Sequence, residues 1–184
     1  LLDYKMDHGK VYVISNGKRI EQTDFVYSEN DTGYKNGEIV LSEGELLKNI
    51  HQIQTQNNIH LSSEVIKRLG ACQLDIEMET GTGKTYVYIK TMFELNKRYG
   101  WTKFIVVVPS IAIREGVKKS FNITQDHFME LYGKKARYFV YNSDNLNQID
   151  TFSQSADISV MIINTQAFNT SMKEGAKNKY ARII

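Results

Sequence analysis

A single cysteine and a single proline occur in 184 residues, and the apolar stretches are all short. With only Cys72 available, an internal disulfide framework or a Cys-rich zinc site is excluded, and a reducing compartment, the cytoplasm, is expected. The longest apolar run, Ile105 to Val108 behind Phe104, falls far short of the ~20 residues a membrane span needs, so no membrane partner is expected. No basic segment followed by an apolar stretch opens the chain, which leaves secretion without support. His8, His51, His60 and His127 share no ligand spacing and argue against a His-bound metal. There is no fixed-period repeat and no low-complexity tract. The formal charge of +2 neither demands nor forbids nucleic acid, so any basic footprint must be local.

What remains is ordinary globular composition, 41% hydrophobic and 24% charged, sufficient for one domain with a small appendage. The opening Leu1-Leu2-Asp3 has no initiator Met, and the sequence stops at Arg182-Ile183-Ile184 as an apolar run begins. It therefore reads as a piece of a longer polypeptide.

Residues 1–42 read as a β-rich appendage. Val11–Ile14 and Lys18–Ile20 flank the turn signal Asn16-Gly17, and Phe25–Tyr27 with Glu38–Leu41 suggest a second hairpin. The texture changes at Ser42-x-x-Glu45, a capping box ahead of Leu46, Leu47, Ile50 and Ile53 on one helical face. Residues 43–184 then alternate strand and helix. Strands are expected at Leu74–Met78, Phe104–Val108, Tyr138–Tyr141 and Ile158–Ile163. The β-branched run Phe104–Val108 suggests a strand buried on both faces of a parallel sheet. Helices are expected after Gly83, ending at Gly100, from Ile111 to Ser120, and from a cap at Thr124 to Leu131, closed by Gly133. The fold class is α/β with a parallel sheet flanked by helices.

The residues that carry chemistry are Glu79-Thr80-Gly81-Thr82-Gly83-Lys84-Thr85, set between an expected strand and an expected helix. Gly81 and Gly83 permit positive φ and close approach to phosphates, turning successive N–H groups inward. The free amides and positive end of the following helix strengthen that field. Lys84 supplies a mobile charge for the terminal phosphates of ATP, and Thr85 a hydroxyl for Mg²⁺. Glu79 stands either as a partner of the loop or as a solvated turn carboxylate. A strict phosphate-loop pattern would have Gly at position 78, where this chain has Met78. Hydrolysis also needs a carboxylate on a neighbouring strand to hold the metal, and no Asp-Glu pair occurs anywhere. Asp157 precedes its strand and so lies at the wrong end, because ligands of parallel sheets sit beyond the carboxyl ends. Half of a catalytic site is expected.

Ile76 to Tyr88 closely resembles helicase motif I of the Res subunits of type III restriction enzymes, where Met at the position of Met78 is usual. Val106 to Val117 resembles that family's segment around motif Ia, and Ile162 to Phe168 its Ib-type segment. The resemblance spans about residues 72 to 170 in the family's order. It implies an incomplete RecA-like domain, the first of two that clamp ATP, ahead of a C-terminal nuclease. It also implies double-stranded DNA and a methyltransferase (Mod) subunit as partners, and an Asp-Glu box on a strand just beyond Ile184. By the same resemblance Pro109, Ser110, Arg114, Thr165 and Gln166 contact the DNA backbone. Their alternative is structural: Ser110 and Thr165 as helix caps and Arg114 solvated. Superfamily 2 proteins often read adenine with a Gln upstream of the loop; Gln54 suits that spacing, though a plain surface Gln fits equally. Three further functions stay open at this point: another superfamily 2 DNA helicase or repair ATPase, a metabolic phosphate-loop kinase, and a non-catalytic nucleotide-binding module.

Overall fold

The computed structural model describes residues 11–15, 18–22, 36–37, 39–67, 72–142 and 147–173. The backbone alone is described for 11–15, 18–22 and 170–173. By packing, the described residues between 37 and 82 form one compact unit, and the remainder, with the Gly83 side of the phosphate loop, a second.

The first unit is organised by α1 (Glu43–Gln56). Its start is the expected capping box: Glu45 N–H donates to Ser42 Oγ at 3.4 Å, and Ser42 N–H donates to Glu45 Oε2 at 2.9 Å. The Ser42 hydroxyl also donates to that carboxylate, which holds Glu45 below the usual carboxylate range. Leu46 and Ile50 are buried on the apolar face. Past the helix, Asn58 takes a left-handed φ of 54°, and the chain turns back so that Ser62 meets Gln54 and His51. Leu74–Met78 does not form the expected strand; among the described residues nearby, the pairing is an isolated bridge between Ile66 and Gln73. Alternation makes a segment able to pair, but a strand exists only beside a partner, and none of the described residues supplies one to 74–78. Ile76 is accordingly 74% exposed.

In the second unit β1 (Val11–Ser15) and β2 (Lys18–Gln22) form the expected antiparallel hairpin. Its turn and Phe25–Tyr27 lie outside the described residues. The sheet that positions the site is parallel, with order β3-β5-β4: β3 is Lys103–Val108, β4 Arg137–Val140 and β5 Ser159–Asn164. β5, at the centre, is buried from Ser159 to Ile163. β3 was expected to be covered on both faces. It is instead an edge strand among the described residues, half-buried along most of its length, with Val107 41% exposed. A β-branched run reports apolarity, and β5 has as much of it as β3; sheet order decides which is enclosed.

Four helices flank the sheet. α2 (Lys84–Tyr99) buries Ile89, Met92, Phe93 and Asn96, the i, i+3, i+4, i+7 stripe of an amphipathic helix. It ends where expected, with Gly100 in the left-handed region and Lys97 and Arg98 in the last turn. α3 (Ile111–Tyr132) is one continuous helix rather than two. Thr124 does not cap a new helix; its hydroxyl donates back to Ser120 O at 2.8 Å, the i−4 bond through which a Thr is accommodated mid-helix. Val117, Phe121 and Phe128 of α3 join α2 and β5 in the core, where Phe93 and Phe128 stack at 4.8 Å. α4 (Asn147–Gln154) was not foreseen: only Ile149 and Phe152 are buried, too few to show a period. α5 (Thr165–Lys173) follows β5 directly. Asn36 joins the start of β3, its amide oxygen accepting the N–H groups of Thr102 and Lys103 at 2.8 and 2.9 Å.

Candidate nucleotide-binding site

Glu79–Thr82 forms a tight turn in which Glu79 O accepts both the Thr82 hydroxyl at 2.7 Å and the Thr82 N–H at 3.4 Å. Within the turn Gly81 has φ 83°, and directly after it Gly83 has φ 90°. Both values lie in the region that L side chains rarely adopt, whereas a Cβ at either position would meet no atom within 4 Å. The requirement for glycine is therefore conformational and not a matter of space. Gly83 is the N-cap of α2, its carbonyl accepting from Val87 N–H at 3.0 Å.

Two features leave the start of α2 electropositive. No side chain caps it, and its first turn contains no acid. The amides and the positive end of the helix dipole are thus offered to an external anion. Lys84 and Thr85 stand in that first turn, Lys84 exposed and Thr85 half-buried. Behind Thr85 the Tyr88 hydroxyl is buried; loss of water pushes its pKa up, and the neighbouring Thr85 side chain partly offsets this. Thr80 is exposed on the turn.

The hydroxyl of Thr85, together with phosphate oxygens, is a donor set suited to a hard cation such as Mg²⁺. Among the described residues no strand end supplies a carboxylate to complete that set. β3 runs out into Pro109-Ser110, β4 into Tyr141-Asn142 and β5 into Thr165. Asp157 lies before β5, as expected, where it pairs with Arg137 at 3.0 Å. The described residues suit the triphosphate end of such a site, and none of those following the strands is an acid for the metal.

The expected nucleic-acid residues fall in two segments that the sheet brings together. Val108 is the register partner of Asn164, so Pro109-Ser110 and Thr165-Gln166 emerge side by side at one end of the sheet. Each leads into a helix N-terminus. Ser110 caps α3, its Oγ accepting from Ile113 N–H at 3.3 Å, and Arg114 pairs with its exposed neighbour Glu115 at 3.2 Å. Thr165 is not a cap: Asn164 takes that position, its Oδ1 accepting from Ala167 N–H at 2.7 Å. Asn after a strand is a good N-cap signal, and it was readable in the sequence.

Gln54 lies in the first unit. Ser62 uses its amide twice, accepting from Nε2 at 2.9 Å and donating its own N–H to Oε1 at 3.0 Å. The adjacent cations Lys134 and Lys135, just past α3, have partners: Lys134 donates to Asn96 Oδ1 at 2.9 Å and Lys135 pairs with Asp126 at 3.6 Å. They border a cleft of about 720 Å³ at the amino ends of β4 and β5, away from the carboxyl ends where parallel sheets hold ligands. Sequence reasoning missed one pairing near the loop, between Tyr86 of α2 and His127 of α3 at 2.9 Å.

Residues 45–184 match the family model described as "Type III restriction enzyme, res subunit". Among curated proteins, the chain is 39% identical over 110 residues to the type III restriction-modification enzyme EcoP15I Res subunit of Escherichia coli. It is 38% identical over 111 residues to the EcoPI Res subunit of Escherichia phage P1; each match covers 59% of this chain and 11% of the relative. The StyLTI Res subunit of Salmonella typhimurium is 34% identical over 142 residues, 66% of this chain and 14% of that protein.

Proposed function

The chain belongs to the Res-subunit family of type III restriction enzymes, and we propose that residues 79–85 hold the triphosphate of ATP in a motor that works on double-stranded DNA. The observation that carries this is local: two left-handed glycines deliver the backbone into an uncapped, acid-free helix start bearing Lys84 and Thr85. Such a start offers amides and dipole to an anion without a competing side chain. Lys84 neutralises the terminal phosphates and Thr85 orients Mg²⁺, which on binding supplies charge stabilisation at the transferred phosphoryl group. The carboxylate for that metal, a second RecA-like domain and the nuclease belong to other parts of the intact enzyme, since the chain spans only 11–14% of the curated relatives' length.

On the DNA side, Pro109-Ser110 with Arg114, and Thr165-Gln166, present two adjacent helix N-termini to phosphates. Ser110 Oγ is spent on its cap, so the phosphate donors there are backbone amides and Arg114, which exchanges the exposed Glu115 for DNA. The methyltransferase (Mod) subunit supplies the recognised sequence, so specificity does not have to reside in these residues. Gln54, the residue expected to read adenine, has its amide bonded to Ser62 in this structure.

The test is Lys84→Ala in the complete enzyme. ATP turnover should fall at least about a hundredfold, the scale of losing one positioned charge donor, with thermal unfolding unchanged because Lys84 is exposed. Turnover within a few-fold of the parent would remove Lys84, and the loop with it, from the mechanism.

A further inference from the structure

We propose that Tyr86 and His127 are positioning residues through which α3 relays DNA occupancy at its N-terminus to the phosphate loop. The inference rests on the function proposed above and concerns a contact that function does not require. Tyr86 follows Thr85 directly, in a helical turn with no capping side chain and no acid of its own. Its orientation is set from α3 instead. Tyr86 Oη lies 2.9 Å from His127 Nε2, and its ring stacks on Phe128 at 5.3 Å with the planes 27° apart. Phe128 is 1% exposed and itself stacks on Phe93 of α2, so this anchor point is part of the core.

The far end of the same helix is Ser110, in the candidate DNA segment. From residue 110 to 127 a helix extends roughly 25 Å, and α3 is unbroken over that length. Helices transmit displacement as stiff bodies. A shift of α3 caused by phosphates at its first turn therefore moves residue 127, and through Tyr86 it moves the turn that carries Lys84 and Thr85. The hydrogen bond is exposed and Tyr86 lies at the surface, whereas Phe128 beneath its ring is buried, so removing the bond alone loosens the link without emptying the core.

The experiment uses the complete enzyme and compares Tyr86→Phe, His127→Phe and the double variant. Each keeps an aromatic ring in place, and Tyr86→Phe removes a single oxygen. ATP turnover is measured with and without DNA, alongside binding of a fluorescent ATP analogue in the absence of DNA and thermal unfolding. The expected result is a fall of about three- to tenfold in the DNA-stimulated to basal ratio for each single variant. The double variant should lose no more than either single one, as for two ends of one bond. Nucleotide binding without DNA should stay within about twofold, since neither side chain touches phosphate in this scheme. An unchanged stimulation ratio, additive losses, or equal losses with and without DNA accompanied by a lowered melting temperature would overturn the relay. Absence of any DNA stimulation in the unaltered enzyme would take down the motor function first, and the relay with it.

Discussion

Gly83 carries φ 90° at the point where the loop becomes a helix, and alanine there meets open space but the wrong region of backbone conformation. Gly83→Ala should cost about 1–2 kcal/mol of stability from the left-handed backbone alone. If the loop relaxes to avoid that cost, its amides turn away and nucleotide binding should weaken by roughly tenfold or more. Urea denaturation and nucleotide titration of the same variant separate the two effects. Gly100, also left-handed at φ 68°, is the natural control, since it closes α2 far from the phosphates. At this scale most of the site was legible. The capping box at Ser42, the two loop glycines and the helix stop at Gly100 each depend on neighbours a few residues away. Thr124 misled for the same local reason, because a Thr hydroxyl serves equally as an N-cap and as an i−4 back-bonder.

Between elements, α2 and α3 are tied by Tyr132, whose hydroxyl donates to Glu94 Oε1 at 2.7 Å. That bond holds the Glu94 carboxyl below its ordinary 4.5, and burial, then Glu94 itself, pushes the Tyr132 phenol up to about 12. The depressed acid contributes stability that is whole above about pH 4.5 and disappears as pH falls through its folded value. The raised phenol contributes stability that is whole below about pH 10 and disappears as pH rises towards 12. Tyr132→Phe should therefore flatten both limbs of the stability–pH curve. Denaturation midpoints for parent and variant at pH 3.5, 7 and 11 check this; parallel curves would show that the pair is not coupled to folding. None of this was readable beforehand. Tyr132 and Glu94 are 38 residues apart, and nothing in either side chain names the other. The absent strand at Leu74–Met78 and the exposure of β3 have the same origin: each depends on a partner elsewhere in the chain.

For the whole molecule, the described residues that follow the strands include no acid, and Asp157 is occupied by Arg137 at the other end of its strand. The 184-residue chain by itself should bind ATP without Mg²⁺-dependent turnover, since a triphosphate held without the metal's carboxylate lacks part of the charge stabilisation that phosphoryl transfer needs. A phosphate-release assay on the isolated chain, set against the complete enzyme with DNA, checks this; turnover by the isolated chain above a Lys84→Ala background would contradict it. Among the described residues no helix is long and apolar enough to cross a membrane. Sequence alone determined the α/β alternation, the conformation of the phosphate loop, the start of α1, both ends of α2 and the family, because these rest on interactions within a turn or two of the chain. Tertiary structure decided that β5 and not β3 is enclosed, that Val108 pairs with Asn164 so two helix starts share one end of the sheet, and that Tyr86 meets His127. Apolar strands and polar aromatic tips have many acceptable partners, and only packing in three dimensions selects among them.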